Sequence, residues 1–318
     1  MRARSGASWK PNSPEIFSGG NSVAAVIETV DLKKSYGKHE AVRGLNLSVQ
    51  AGSVCAFLGQ NGAGKTSTIK MLLGMVHPSS GTGSIFGHRI DRESESLLIR
   101  QKVAFVAEDK RLYDYMTVEQ IVRFTKTFFP RWNHGFERRL MEQFELPPKR
   151  RIRQLSKGMR TKLALLLGFA RNCELLILDE PTECLDPVAI EDVLQILVSL
   201  AAEGTTVFFS SHQIVEVEQI ADHVLMIDHG HLVMDAPMDQ VKEQYRHIQA
   251  VFPDPVDERD FRLPGIETIQ AKGCAVSLVA SHNVDSILEH FHMLRAANVD
   301  VAPLSLKEIF LGKVKARS

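Results

Sequence analysis

The sequence predicts an α/β protein built on a mainly parallel β-sheet that is covered by helices. Short apolar runs bounded by turn residues predict strands, and helical stretches alternate with the later runs. One strand leads directly into a glycine-rich loop, which a helical stretch follows. A mostly helical stretch at 109–154 interrupts the strands, as expected for a helical lobe inserted into the core. The predicted core strands are "SVCAFLG" before the loop, "KVAFVAE" (102–108), "LLILDE" (175–180), "TTVFFSS" (205–211) and "HVLMIDHG" (223–230).

Composition limits the class of protein. The 318 residues suffice for one large and one small domain, and 44% hydrophobic with 24% charged residues is typical of a soluble globular protein. Because 38 Lys and Arg residues balance 38 Asp and Glu residues, charge gives no case for a nucleic-acid partner. No apolar run approaches the ~18 residues that span a bilayer, and the 4 cysteines lack C-x-x-C spacing, which suits a reducing compartment. We therefore expect a cytoplasmic protein that would reach a membrane only through a partner.

The N-terminal part of the chain divides into a tail and a β subdomain. Residues 1–23 are rich in Ser, Gly, Pro and Asn and lack the apolar middle of a signal peptide, so we expect a flexible tail. From residue 24 onward, "AAVIETVDL" and "AVRGLNLSV" are strand-like and are separated by turn residues. They predict an N-terminal antiparallel β subdomain ahead of the parallel core.

The glycine-rich loop, "FLGQNGAGKTST" at 57–68, matches G-x-x-x-x-G-K-[ST]. Glycines let backbone N–H groups converge on phosphate oxygens, and the following helix N-terminus adds partial positive charge. Lys65 would reach the β- and γ-phosphates, and the Thr66 hydroxyl would bind the magnesium ion that neutralises them. A glycine-rich turn before an unrelated lysine is the alternative, but the strand-loop-helix order favours a P-loop NTPase core with a parallel sheet. The loop residues expected to bind the nucleotide are Gly59, Gln60, Asn61, Gly62, Ala63, Gly64, Lys65, Thr66 and Ser67.

The inserted helical lobe has its own start and stop signals. Thr117 and Gln120 form a capping-box pattern before "IVRFTKTFF", and Pro130 is expected to end that helix. The run "FERRLMEQFEL" predicts a second helix, stopped by the proline pair at 147–148. With the helix that follows, the lobe is expected to cover about 109–172.

Two adjacent carboxylates end the apolar strand "LLILDE". Asp179 could hold magnesium directly or through water, and Glu180 points differently because strand side chains alternate. Glu180 could then polarise the water that attacks the γ-phosphate. On its own, Asp179 could equally cap the next element, but the phosphate loop favours the metal role.

A helix start precedes these carboxylates in "QLSKGMRTKLALLLGFAR". Ser156 is the predicted N-cap, and Gly158 permits a close backbone approach. The spacing of Leu163, Leu166 and Leu167 predicts a helix with a buried face. Taken alone, this pattern indicates no more than a good helix start.

The character of the chain changes again after about residue 237. Three strand-like runs, "HIQAVF", "ETIQAKG" and "AVSLVAS", precede the amphipathic helix "VDSILEHFHMLRAA" and a last short helix, "SLKEIFLGKV". We expect residues 237–318 to form a small C-terminal α+β appendage.

The order of these motifs resembles the ATP-binding subunit of an ABC transporter over about 25–236. The motifs that carry the resemblance are, in chain order, Tyr36, "GQNGAGKT", Glu108, "LSKGM", "LLILDE", "LD" and "SSHQ". The resemblance implies an ABC ATP-binding domain at 24–236 that uses ATP and Mg. It also implies that two such domains, as a homodimer or a heterodimer, meet head to tail. Each ATP would then lie between the phosphate loop of one subunit and the signature sequence of the other.

The resemblance implies roles for residues that the local patterns leave open. Ser156 and Gly158 would bind the γ-phosphate held by the partner subunit, and Tyr36 would stack on adenine. Asp186 resembles the residue that links the two sites across the dimer. His212 would contact the γ-phosphate and, with Lys65 and Glu180, serve catalysis. The implied metal ligands are Thr66, Asp179 and Glu108.

Several residues depart from the usual family pattern. Glu108 replaces the usual glutamine, and an acid there could still bind magnesium or water while adding negative charge near the phosphates. Lys157 and Met159 replace the commoner glycine and glutamine of the signature, and Glu183 and Cys184 stand where small residues are usual. Similar variants are familiar in ATPase subunits of exporters, so we expect hydrolysis to be retained.

The sequence therefore predicts an ATPase that powers transport through a separate integral membrane permease subunit. Its helical lobe would dock on the permease, which would hold it peripherally on the cytoplasmic face of the membrane. One alternative is a soluble ABC-type ATPase that acts on DNA or ribosomes. The zero net charge of the chain does not favour binding to either of these nucleic-acid partners. A second alternative is a weakly hydrolysing regulatory subunit, which Glu108 keeps open.

Overall fold

The computed structural model describes residues 25–315, so the flexible tail expected at 1–23 lies outside the described part. The strands are β1 (Ala25–Tyr36), β2 (His39–Gln50), β3 (Val54–Leu58), β4 (Ser80–Ile85), β5 (His88–Arg89), β6 (Val103–Val106), β7 (Leu175–Asp179), β8 (Thr206–Ser211), β9 (His223–Asp228), β10 (His231–Pro237), β11 (Arg246–Val251), β12 (Ile266–Lys272), β13 (Ala275–Ala280) and β14 (Asn298–Pro303). The α-helices are α1 (Lys65–Leu72), α2 (Glu93–Lys102), α3 (Val118–Lys126), α4 (His134–Gln143), α5 (Lys157–Phe169), α6 (Pro187–Ala202), α7 (Ile214–Ile220), α8 (Met238–Gln244), α9 (Val284–Met293) and α10 (Leu306–Lys315). Short 3-10 helices lie at Ile152–Gln154 and Glu258–Phe261.

A mainly parallel sheet forms the centre of the larger unit. Its strand order is β10-β9-β3-β8-β7-β6, in which β10 pairs antiparallel with β9 and all other neighbours are parallel. Every residue of β3 and β7 is buried, as expected for parallel strands covered on both faces. The prediction of a parallel core is confirmed.

The N-terminal antiparallel sheet covers one face of the central sheet. Its strand order is β2-β1-β4-β5, with every pair antiparallel. Side chains alternate along β3, so Cys55 and Phe57 pack with the antiparallel sheet and α1, while Ala56 and Leu58 pack with the helices of the opposite face. The predicted N-terminal subdomain is therefore confirmed as one layer of a packed core.

The helical lobe extends the core on the other side of the central sheet. Trp132, Leu140 and Phe144 of the lobe are buried in the same apolar cluster as β6 and β7. Thr117 caps α3 as predicted, because its Oγ1 accepts the Gln120 N–H at 3.2 Å and Gln120 Oε1 accepts the Thr117 N–H at 2.9 Å. Among residues 25–315, no helix is both long and apolar enough to cross a bilayer.

The lobe helices end earlier than their prolines predict. Helix α3 ends at Lys126, and the Thr127 hydroxyl then donates to the Phe124 carbonyl at 2.7 Å. Helix α4 ends at Gln143, followed by Glu145 at a φ of +52°. The predictions that the prolines end these helices were wrong in position. After α3 the backbone hydrogen bonds change to the i−3 type of turns, and after α4 a left-handed residue follows, so both helices end before the prolines are reached.

The C-terminal segment carries an antiparallel sheet with the order β12-β13-β11-β14 and one covering helix, α9. Ile248, Leu278, Ile287 and Phe291 are buried in a separate core between this sheet and α9. The predicted α+β character is confirmed, but sequence analysis missed β14 and the short α8.

Both ends of this segment pack on the larger unit. Met238 and Val241 of α8 join the apolar cluster of the central sheet, as do Ile309 and Phe310 of α10. The Leu306 N–H donates to Glu218 Oε1 on α7 at 2.6 Å. The domain boundary expected at 237 stays a prediction, and the packing joins α8 and α10 to the larger unit.

We expect Ile309→Ala to lower the free energy of unfolding by about 2–5 kcal/mol, because Ile309 is 2% exposed and its removal leaves a cavity. Leu311→Ala is the matched control on the same helix. Its side chain is 42% exposed, so we expect a change within about 0.5 kcal/mol. Chemical denaturation of the full chain measures both, and equal small effects would show that α10 does not pack on the core.

Candidate active site

The glycine loop connects β3 to α1 and is packed too tightly for side chains. A Cβ on Gly59 would lie 2.5 Å from the Ile227 carbonyl oxygen, and one on Gly64 would lie 2.4 Å from the Ala41 carbonyl oxygen. Gly64 also has a φ of +110°, which L side chains rarely adopt. These constraints explain why the motif has glycine at both positions.

The N-terminus of α1 opens toward a cavity. Helix α1 begins at Lys65, its N-cap Gly64 provides no side-chain acceptor, and its first turn contains no acidic residue. A helix start of this kind favours an anion, because its first N–H groups have no intrahelical partner. The cavity has a volume of about 290 Å³ and is lined by Tyr36, His39, Ala41, Gln60, Asn61, Gly62, Gly64, Lys65, Thr66, Ser67, Glu108 and Glu180.

Lys65 lies at the floor of this cavity. Its side chain is 6% exposed, and its ammonium group donates to the carbonyl oxygens of Gly59 at 2.7 Å and Gln60 at 3.3 Å. The same group lies 3.1 Å from Glu180 Oε1 and forms an ion pair with it. The cation is therefore held between the loop and the predicted catalytic carboxylate.

The two predicted carboxylates lie at the carboxyl end of β7, where Ser210 joins them to β8. The Ser210 hydroxyl donates to Asp179 Oδ1 at 2.6 Å and accepts the Glu180 N–H at 3.0 Å. This arrangement follows from the sheet register, in which Asp179 pairs with Ser210. Ser210 belongs to the motif "SSHQ", but its role was not predicted from the sequence. The signal that could have indicated it was a hydroxyl at the end of β8, the strand next to the one that carries the carboxylates.

Glu180 is buried and has an unusual backbone conformation. It is 6% exposed and has a φ of +48°, which is strained for a residue with a side chain. The Nδ1 atom of His212 lies 2.8 Å from Glu180 Oε2, so the predicted pair is in contact. The other carboxylate oxygen, Oε1, is the atom that pairs with the Lys65 ammonium at 3.1 Å. A buried carboxylate whose oxygen is released by such a cation is suited to accept a proton from a water molecule.

The oxygen ligands near the loop fit a magnesium ion that also binds phosphates. Thr66 lines the cavity, and the buried carboxylate of Asp179 ends β7, which β8 separates from the strand before the loop. Within residues 25–315, no cluster of three or more His, Cys, Asp or Glu side chains forms a complete metal site. Magnesium is typically bound by one or two carboxylates together with substrate phosphates, so this donor set is sufficient.

Glu108 lines the cavity next to these carboxylates. Burial raises the pKa of Glu108, and the nearby Asp179, Glu183 and Glu180 raise it further, whereas Lys110 opposes this effect. The Lys110 ammonium donates to the Glu180 carbonyl oxygen at 3.1 Å. Sequence analysis missed Lys110, because nothing in "EDKR" marks one basic residue as different from the next.

The signature residues lie away from the phosphate-loop cavity of their own chain. Ser156 caps α5 by accepting the Met159 N–H at 3.2 Å, so its predicted N-cap position is correct. A Cβ on Gly158 would lie 2.8 Å from the Cys184 carbonyl oxygen, and Asp186 caps α6 by accepting the Ala189 N–H at 3.0 Å. Of the residues expected around the nucleotide, Tyr36, Glu108 and most of the loop line this cavity. The predicted site residues that do not line it are Gly59, Ala63, Ser156, Gly158, Asp179, Asp186 and His212.

A second buried acid, Glu216, connects the segments on either side of the site. Its carboxylate is 4% exposed and accepts the hydroxyl protons of Thr182 at 2.9 Å and Ser211 at 3.1 Å. Burial raises the pKa of Glu216, and these two hydrogen bonds lower it. Glu216 thereby ties the turn after Glu180 to the strand end before His212. Sequence analysis missed it, because its role depends on contacts between distant segments.

The fold and the site together define a P-loop ATPase, with a glycine loop after one parallel strand and a buried Asp-Glu pair after another. Comparison with known proteins identifies the family. A protein-family model described as "ABC transporter" matches residues 42–183 of the chain. The chain belongs to the family of ATP-binding subunits of ABC transporters. As a member, it is an ATP-binding and ATP-hydrolysing subunit that powers a transporter.

Individual relatives support this assignment. The bacitracin transport ATP-binding protein BcrA of Bacillus licheniformis is 35% identical over 227 residues, covering 70% of this chain and 74% of BcrA. The ABC transporter ATP-binding protein YtrB of Bacillus subtilis (strain 168) is 26% identical over 289 residues, covering 91% of this chain and 98% of YtrB. A solved structure of an ATP-binding subunit of an ABC transporter is 28% identical and has a TM-score of 0.62, covering 69% of this chain and 92% of that one.

We expect Ser210→Ala to lower kcat for ATP hydrolysis about tenfold, because it removes hydrogen bonds to both Asp179 and the Glu180 backbone. Ser199→Ala is the matched control, since the hydroxyl of this exposed serine donates to the Gln195 carbonyl within α6. Steady-state ATPase assays compare the two variants with the wild-type protein. Equal kcat values for all three would contradict the role assigned to Ser210.

Proposed function

We propose that this subunit works as a head-to-tail dimer, with an identical or homologous partner, in which each ATP is bound by the phosphate loop of one subunit and the signature turn of the other. The observation that carries this proposal is that the two halves of the site lie on one chain but do not meet there. The loop cavity is lined without Ser156 or Gly158. These residues instead open α5, whose N-terminus has a Ser cap and no acidic residue in its first turn. Such a helix end can bind a phosphate presented by a second subunit.

The arrangement of Lys65 and Glu180 supports a specific order of events. A charged phosphate oxygen binds an ammonium group more strongly than a neutral carbonyl oxygen does. Phosphates in the cavity would therefore draw Lys65 away from the carbonyls of Gly59 and Gln60 and from Glu180. Glu180 Oε1 would then be available to a water molecule.

Hydrolysis then needs a base for the attacking water. The water oxygen forms a bond to the γ-phosphorus, its proton passes to the Glu180 carboxylate, and the bridging oxygen leaves with ADP. His212, 2.8 Å from Glu180 Oε2, would orient this carboxylate and approach the γ-phosphate. Magnesium, bound by Thr66, Asp179 and the phosphates, with Glu108 nearby, would neutralise the charge of the triphosphate.

An exposed aromatic surface on the helical lobe supports docking to a membrane permease. Tyr113, Tyr115, Phe124 and Phe128 are between 40% and 68% exposed. Their rings form a chain, with centroids 5.9, 5.8 and 5.1 Å apart. Contiguous exposed apolar surface of this kind marks interaction sites.

A groove beside the aromatic surface completes the proposed docking site. This docking groove has a volume of about 250 Å³ and lies between β6 and the lobe; among its lining residues are Val106, Lys110, Leu112, Phe129 and Gly168. Glu108, at the nucleotide cavity, lies in sequence between Ala107 and Asp109, which both line this groove, so docking and chemistry lie on one short segment. We infer that a cytoplasmic segment of a separate permease occupies this site and holds the subunit on the cytoplasmic face of the membrane.

We expect Glu180→Gln to bind ATP with magnesium, form a stable dimer and lose at least about hundredfold in kcat, because the amide cannot accept the proton of water. Light scattering after size-exclusion chromatography, with and without ATP, measures the dimer, and a phosphate-release assay measures turnover. Glu203→Gln, a change at the exposed end of α6, is the control and should keep wild-type turnover. A monomer in saturating ATP would contradict the dimer, and unchanged hydrolysis would remove Glu180 from catalysis.

We expect the wild-type subunit to co-purify with a multispanning membrane protein in mild detergent. The double variant Tyr115→Ser and Phe128→Ser should reduce its recovery about tenfold, because these two side chains are 68% and 62% exposed on the proposed docking surface. Met293→Ser, with a side chain 73% exposed on α9, is the control and should leave recovery unchanged. Recovery of ribosomes or DNA instead would favour the alternative class of ABC ATPase.

A further inference from the structure

Lys110 lies on the segment between β6 and the helical lobe and reaches back to the active site. Its ammonium group donates to the carbonyl oxygen of Glu180 at 3.1 Å, across 70 residues of sequence. The side chain is half-buried, and the groups that face it are the carboxylates of Glu183, Glu108 and Asp179 and the thiol of Cys184. A single cation therefore lies among three acids and the backbone of the proposed catalytic base.

The backbone of Glu180 needs such support. At a φ of +48°, Glu180 is held in a conformation that residues with side chains seldom adopt, so its surroundings must stabilise it. The Ser210 hydroxyl fixes its N–H, and its carbonyl oxygen accepts Lys110 at 3.1 Å and, more weakly, the Glu183 N–H at 3.4 Å. Because the side chain leaves from this backbone, the direction of the Glu180 carboxylate depends on these contacts.

Two of the departures from the usual family pattern add acids near Lys110. Glu108 stands where glutamine is usual and Glu183 where a small residue is usual, and the charges of both act on Lys110. Two added acids beside Asp179 would repel one another and the phosphates of ATP. Lys110 supplies a positive charge at that point, and a charged donor forms a stronger hydrogen bond to a carbonyl than a neutral one does.

We propose that Lys110 is a positioning residue for ATP hydrolysis, which fixes the backbone of Glu180 and offsets the negative charge of Glu108 and Glu183. This inference rests on the proposed catalytic role of Glu180. Lys110 contacts the backbone of the base and not its carboxylate, so it acts on the rate through Glu180. Its loss should slow turnover and leave ATP binding intact.

The test compares Lys110→Met and Lys110→Arg with a matched control, Arg111→Met. Arg111 is the adjacent basic residue, but its side chain is 88% exposed and, within residues 25–315, forms an ion pair only with Asp109. We expect Lys110→Met to lower kcat about tenfold to hundredfold with KM for ATP within about twofold, because it removes a charged hydrogen bond at the base. Lys110→Arg should recover most of the activity, and Arg111→Met should match wild type.

Two further measurements separate positioning from a general structural role. In the Glu180→Gln background, Lys110→Met should leave ATP-dependent dimerisation intact. Adding Glu108→Gln to Lys110→Met should raise kcat above that of Lys110→Met alone, because one of the unbalanced acids is removed. If the variant with both Glu108→Gln and Lys110→Met has a kcat no higher than that of Lys110→Met, Lys110 does not offset the charge of Glu108. Thermal unfolding verifies folding, and Lys110→Gln replaces Lys110→Met if the latter is not folded.

The outcomes distinguish this inference from the proposed function. If Glu180→Gln abolishes turnover while Lys110→Met keeps wild-type kcat, the inference about Lys110 is wrong and the proposed function stands. If Glu180→Gln keeps full activity, the proposed function itself fails. A raised KM with unchanged kcat in Lys110→Met would show that Lys110 serves nucleotide binding, which also overturns the inference.

Discussion

The buried carboxylate of Glu180 is the point at which separate segments of the chain converge. Lys65 reaches it from the loop after β3, and His212 reaches it from the end of β8. Its backbone is held by Ser210, which lies near the end of β8, and by Lys110, which follows β6. The carboxyl ends of parallel strands meet at one edge of a sheet, so this convergence is a direct result of the strand order. The site thus depends on the central sheet keeping its register.

The segment that leaves β6 joins the chemistry to the helical lobe. It carries Glu108 at the nucleotide cavity, Lys110 at the Glu180 carbonyl and the start of the aromatic surface at Tyr113. The lobe is not a separate body, because its apolar residues share one cluster with β6 and β7. A force applied to the lobe by a docked partner would therefore act on the same short segment that contacts the base.

The features that could be predicted from the sequence are those set by neighbouring residues. The glycine loop, the Asp179-Glu180 pair and the Thr117 cap each depend on a short run with a fixed spacing, and each lies where expected. The contacts of Ser210 and Lys110, and the contact of Glu216 with Thr182, could not be predicted, because their partners are between 30 and 70 residues away. The predicted ends of α3 and α4 were wrong for a different reason. A proline sets the last point that a helix can reach, but the helix can end before it. Strand β14 was missed because four of its six residues are exposed at a sheet edge, which weakens the apolar pattern.

The packing of α10 on α7 has a consequence for how the chain is made. The apolar cluster of the central sheet includes Leu304, Leu306, Ile309 and Phe310, which are synthesised long after β3 and the glycine loop. Contacts between residues so far apart in sequence form late and slow the search for the native state. The larger unit therefore reaches its final packing only after residues 304–310 have emerged from the ribosome. Until then, the surface of α7 that receives α10 is exposed to solvent and to chaperones.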